Sequence, residues 1–239
     1  MMKIFSNILP IYRREIRSYF NSPIAYVVIV VFLAIVGWFF TNALFLADVA
    51  SMGTVFEVVP WVFLGFVPAI TMRLLAEEKK SGTIELLTTK PIRGVEIVLG
   101  KFLAAWTLLA AALLPTVIYL FTIIPLGEID LGPVITGYLG LLLMGGVYIG
   151  IGVFASSLTE NQIVAFLITL LVVLGLFLVD KMLIFLPEGL ATTLEYLSVD
   201  HHFVSIARGV IDSRDVVYFA SVLGFSLLLA TLSLERRKW

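Results

Sequence analysis

An all-helical membrane protein with six transmembrane helices is the fold class that this sequence predicts, and three observations predict it. Sixty per cent of the 239 residues are hydrophobic, only 14% are charged and the mean hydropathy is +1.07, against roughly 45–50% apolar and 25% charged in soluble domains. Six apolar runs are long enough to cross ~30 Å of hydrocarbon, near 24–46, 56–75, 95–124, 133–157, 162–186 and 216–234. No polar segment between them is long enough to build a soluble domain, so 1–239 reads as a single transmembrane domain. A net charge of −1 makes no case for nucleic acid, and the absence of cysteine excludes disulfides and thiolate metal sites.

Residues 3–20 precede the first run. Phe5, Ile8, Leu9, Tyr12, Ile16, Tyr19 and Phe20 share one arc of a helical wheel, with Arg13, Arg14 and Arg17 on the rest. Pro10 suits a first turn, which favours a helix over 10–20 rather than over all of 3–20. Two compatible readings fit this amphipathic helix. It lies at the membrane interface with its cations toward anionic headgroups, or it packs on the protein's own spans. It does not read as a cleaved signal peptide, because no small-residue cleavage site follows an apolar run this long.

The third run is long and carries Pro115 and Pro125, which predict a bend or an early end. The fourth holds Gly140, Gly145, Gly146, Gly150 and Gly152. Gly146 and Gly150 form a GxxxG pair that permits close helix contact, either within the chain or at a dimer or pore-lining face. Ser156 to Gln162 then make a tight helical hairpin. Segment 187–215 is too polar to span and too amphipathic for a free loop. Leu190, Leu194 and Leu197 share one helical face, as do Phe203, Ile206 and Val210. One or two short extracytoplasmic helices are expected there, resting on the outer membrane surface or dipping into it. Asp212-Ser213-Arg214-Asp215 supplies N-cap chemistry for the last span.

Lys and Arg set the expected orientation. With the N-terminus inside, thirteen cations fall on inner segments and only Lys181, Arg208 and Arg214 on outer ones. Both termini and the 73–93 segment are therefore expected to be cytoplasmic.

That segment holds the longest polar island, Arg73 to Pro91, with charges of both signs. Thr83 to Thr89 has the pattern of a short amphipathic helix, and Lys90, preceding Pro91, is pushed out of the helical region. A compact helix held at a membrane surface is a docking element; the plainer alternative is a solvated connector.

Enzyme chemistry does not emerge. Glu77-Glu78 would need an Arg where Gly82 stands to match the paired-glutamate intramembrane proteases, and the rhomboid GxSG is missing. Gly100-Lys101 lacks the upstream glycine of a P-loop, since Val95 stands there, and Phe102 follows in place of Ser or Thr. His201 and His202 are adjacent, point about 100° apart on a helix and lack HExxH spacing, so a polar outer patch is expected in place of a metal site. The spans carry almost no ionisable groups: Glu57 lies near the outer end of the second, and Asp180 and Lys181 near the outer end of the fifth. That argues against an ion-coupled carrier.

The loop R-x-x-x-E-E-K-K-S-G-T-I-E-L-L-T-T-K-P, followed by V-x-x-G-K, closely resembles the permease subunits of ABC-2 type ABC transporters, and the likeness covers most of the chain. Gly146 to Gly152, Ser156 to Gln162 and Arg208 to Asp215 look like the gliding-motility-associated branch, and are similar also to the permease that serves nitrous-oxide reductase maturation. The resemblance implies a prokaryotic inner-membrane assembly of two permeases, a second copy or a sister, with two ABC ATP-binding subunits. It implies that the 76–91 loop is the coupling helix seated in a groove of the ATPase, with Glu77, Glu78, Gly82, Thr83, Glu85, Leu86 and Leu87 as the contact set. Thr159, Glu160 and Asn161 of the hairpin would make a second cytoplasmic contact. This chain would hold no cofactor, with ATP and magnesium on the partner. The function expected is that of an ATP-driven exporter permease. The alternative is a non-transporting membrane component of an ATPase-driven motility, secretion or maturation machine.

Overall fold

The computed structural model describes residues 7–46, 50–83, 92–126, 129–182 and 195–236. They are helical, with no strand among them. Helix α1 (Ile8–Asn21) lies across one end of a bundle. The spans follow as α2 (Pro23–Leu46), α3 (Gly53–Thr71), α5 (Gly94–Leu113), α7 (Leu131–Leu158), α8 (Gln162–Met182) and α10 (Ser213–Glu235). Two short helices sit at opposite ends: α4 (Ala76–Lys80) after α3, and α9 (Val199–Ala207) before α10.

Six helices are long and apolar enough to cross a membrane, so this is a multi-pass membrane protein. The third is interrupted where its prolines lie. After α5 the chain tightens into a 3-10 turn over Leu114–Thr116, continues as α6 (Val117–Ile123) and tightens again over Ile124–Leu126. Pro115 removes a backbone donor, and the Thr116 hydroxyl donates to the Leu113 carbonyl at 2.6 Å.

Helix α7 is the axis of the bundle. It is buried over most of its length and packs against α3, α5, α8, α9 and α10. Its glycines make this possible. A Cβ on Gly140 would meet the Phe203 ring of α9 at 3.0 Å, and one on Gly150 would meet Leu223 of α10 at 2.9 Å. A Cβ on Gly152 would strike Thr71 of α3, and one on Gly145 would strike Leu109 of α5. The small-residue face is thus filled by the chain's own helices. Trp106 adds a bond from its indole N–H to the Leu142 carbonyl, 2.9 Å away.

The outward-facing residues of α2 and α8 are large and apolar, among them Val27, Val30, Trp38, Ile163 and Leu171. In a membrane the solvent at these positions is lipid, so their exposure is the expected exterior of a span. The apolar side of α1 lies on α5, where Ile11 crosses so closely that a Cβ on Gly100 would come within 2.9 Å of the Ile11 Cβ. Arg13 and Arg17 stay exposed.

Candidate functional site

Between α3 and α4 the chain breaks out of helix for one irregular turn, and the break is held from outside. The Ser156 hydroxyl, at the end of α7, accepts hydrogen bonds from the Leu75 and Ala76 amides, each 3.0 Å away, and donates to the Met72 carbonyl at 3.0 Å. The two amide bonds are buried. A helix start leaves amides without partners, and here one serine satisfies two of them, at about 1 kcal/mol per bond. Nothing in the sequence pattern marks Ser156 for this role, because the partner amides lie eighty residues away.

The apolar pattern predicts a second span through 75 and a helix from Thr83, and the structure places a short helix between them, at Ala76–Lys80. Ala-Glu-Glu-Lys-Lys nevertheless carries the signal: good helix formers, with acids in the first turn and bases in the last. Gly82 ends α4 with φ at +69°, a conformation that costs an L-residue about 1–2 kcal/mol. Residues 84–91 lie outside the described residues, and with them Glu85, Leu86, Leu87 and most of the expected amphipathic helix over 83–89.

Helix α4 is fastened at three further points. The Lys79 ammonium donates to the Ser157 carbonyl, which also accepts from the Ser233 hydroxyl of α10 at 3.1 Å. Glu78 turns inward and pairs with Arg14 of α1 and, at 3.1 Å, with Lys101 of α5. Lys101 also holds Glu15 of α1 at 3.1 Å, and its side chain is only 2% exposed. Glu77, by contrast, is exposed and pairs with Arg73 one turn back at 3.1 Å. Tyr19 of α1 donates to the Ile70 carbonyl at 2.9 Å; burial pushes its phenol well above the usual range, and Glu15 adds to this.

Of the residues expected at this end, the structure gathers Arg14 and Glu78 into one charge cluster. It leaves Glu77, Gly82 and Thr83 exposed beside them. Thr159 and Asn161 form the turn of the α7–α8 hairpin: the Thr159 hydroxyl accepts from the Asn161 amide, and the Asn161 side chain caps α8 by accepting from the Ile163 amide at 2.9 Å. Glu160 stands exposed between them. Helix α4 rests on the end of α7 and the start of α8, so α4 and the hairpin lie side by side, linked through Lys79 and Ser157. Lys101, Glu15 and Ser156 are the members of this joint that sequence reasoning did not single out.

The opposite end is built differently. Ser198 caps α9, and Gly209, with φ at +100°, ends it. Phe203 and Ile206 bury against α7, whereas Val210 falls beyond the helix and is exposed, so it does not share their face. Leu190 and Leu194 lie outside the described residues.

His202 corrects the expectation of a polar outer patch. It is buried, with Nδ1 2.7 Å from the Asp215 carboxylate of α10, Nε2 3.1 Å from the Tyr196 carbonyl, and its ring stacked on Tyr218 at 4.0 Å. His201 faces Glu195 at 3.1 Å. Lys181 of α8 bridges to Asp200 of α9 at 2.6 Å. Among the described residues no group of three or more His, Cys, Asp or Glu side chains is placed to hold a metal.

An all-helical, six-span membrane protein with a compact polar joint at one end is the class that fold and site define. The chain belongs to the ABC-2 family transporter proteins, whose family model matches residues 47–206. It is accordingly a permease component of an ABC transporter, a non-catalytic membrane part that works with an ABC ATP-binding subunit. No curated protein matches the chain.

Proposed function

We propose that this protein is the permease subunit of an ATP-driven exporter and that α4, with the loop after it, receives the stroke of a separate ATPase. The observation that carries this reading is the fastening of α4. A five-residue helix is tied to α1, α5 and α7, and through the Ser157 carbonyl to α10. A push on α4 therefore acts on most of the bundle at once. Glu77, Lys80, Ser81, Gly82 and Thr83 present the exposed side, and Glu85, Leu86 and Leu87 continue the contact set. Thr159, Glu160 and Asn161 form the adjoining second contact.

The distribution of Lys and Arg supports an orientation with both termini and this end in the cytoplasm of a prokaryotic inner membrane. Arg13 and Arg17 then face anionic headgroups. A second permease, identical or a sister, completes the pair, and ATP with magnesium belongs to the partner ATPase.

The test is purification of the tagged protein in mild detergent with identification of what accompanies it. An ABC ATP-binding subunit is expected to co-purify, and Glu85→Arg to abolish that while membrane insertion stays normal. Isolation of the protein without an ATPase would sink the reading. With the complex in hand, ATPase stimulation by a solute or lipid supports export. Stimulation by a protein partner alone supports a non-transporting machine.

A further inference from the structure

The faces of α2 and α3 leave an apolar groove of about 800 Å³ between them. Beside it lies a second pocket of about 400 Å³, walled by the start of α3, the end of α8 and α9. Both volumes lie in the range of small-molecule sites. Two residues line both spaces, Glu57 and Trp61. The Trp61 ring stands edge-on to Phe177 at 4.7 Å, which fixes the wall between α3 and α8.

The charges here are unevenly spent. Lys181 and Asp200 pair with each other inside the second pocket. Glu57 and Arg208 line the same pocket, and among the described residues neither side chain has a hydrogen bond or ion pair. Among the described residues Glu57 is the only ionisable group lining the apolar groove, and Arg208 is not part of that lining. Glu57 is exposed one turn inside the start of α3, so its carboxylate is open to a ligand's cation at the edge of the apolar groove. Arg208, farther from the groove, offers the complementary charge for an anion.

We infer that the groove and pocket together take a single-chain amphiphile whose head is a zwitterion with the cation next to the chain and the anion beyond it. The chain lies between α2 and α3, the cation meets Glu57 at the mouth, and the anion meets Arg208. Phospholipid headgroups carry the reverse order, phosphate nearest the chain. The site therefore discriminates against the bulk lipid that surrounds it. The inference rests on the permease reading for its role as cargo recognition, but the binding itself belongs to this chain alone.

The test uses the purified full-length permease held in amphipol, with dodecyl chains brominated at the tip and quenching of the Trp61 signal, taken as the part that Trp61→Phe removes. The probes are a dodecyl sulfobetaine, dodecylphosphocholine, which has the same chain and net charge but inverted charge order, and dodecyl maltoside. The sulfobetaine is expected to bind at least tenfold tighter than the other two. Glu57→Gln and Arg208→Gln should each remove most of that preference while leaving maltoside affinity unchanged. Equal affinity for sulfobetaine and phosphocholine, or a preference that survives both substitutions, overturns the inference. So does a groove sealed by a second copy, seen as cysteine cross-linking between copies at Val31 with no quenching by any probe. Any of these results leaves co-purification with an ATPase untouched, so the two readings fail separately.

Discussion

The two ends of the bundle each hold a short helix in place, and they do it with different chemistry. At the α4 end, two cations and two carboxylates from three helices interlock: Arg14 and Glu15 from α1, Glu78 from α4 and Lys101 from α5. Backbone amides meet a serine hydroxyl beside them. At the α9 end, two separate pairs each tie the helix to one span, His202 to Asp215 of α10 and Lys181 to Asp200 of α8, with an aromatic stack filling the rest. A cluster in which each ion has two partners resists the loss of geometry in one of them, and it moves as a unit. Two independent pairs let a helix be released from one span while it stays attached to the other. The first arrangement suits an element that transmits displacement, and the second an element that must part from a neighbour.

Substitutions sharpen this contrast. The largest effect is expected from Lys101→Met, which leaves the Glu15 and Glu78 carboxylates, each 13% exposed, facing each other with only the exposed Arg14 to compensate. A loss of about 3 kcal/mol, read from the unfolding midpoint in a titration with denaturing detergent, is the expected result. Adding Glu78→Gln should recover part of it. A loss below about 1 kcal/mol would mean that the cluster is no more than a set of surface pairs.

His202→Phe keeps the stack on Tyr218 but strands one carboxylate, Asp215, in place of two. A loss of about 2 kcal/mol is expected, with faster hydrogen exchange confined to the α9 amides. If the α4 amides quickened as well, the two ends would not be independent. The smallest effect belongs to Arg73→Met. It breaks a single i,i+4 pair with the exposed Glu77 and should change the midpoint by less than about 0.5 kcal/mol.

Much of this molecule was legible from local rules. Apolar runs pointed to six helices long enough to span, Pro115 marked the break in the third, Asp212 to Asp215 announced the cap of the last, and the glycines of α7 announced close packing. At the polar loop the sequence pointed to Glu77, Glu78, Gly82 and Thr83 but not to the way they divide. Glu78 faces inward to Arg14 and Lys101, and Glu77 faces out. Adjacent residues on a helix point about 100° apart, and which of two glutamates faces the protein depends on where α1 and α5 lie. Ser156 was readable only as part of a hairpin, and His202 only as half of a surface pair.

The sequence by itself determined that the chain spans a membrane six times, where it crosses, and where its polar loop falls. Hydrophobic transfer and helix periodicity are properties of neighbouring residues, so a window of about twenty residues contains the information. Only the tertiary structure decided which charges are spent inside the protein and which remain for a partner or ligand. Lys101 meets Glu15 across eighty-six positions and Lys79 meets Ser157 across seventy-eight. Glu57 and Arg208 remain unpaired among the described residues although they share a pocket. Electrostatic pairing acts over a few ångströms of space, and in a helical bundle that proximity is set by packing against α7, not by distance along the chain.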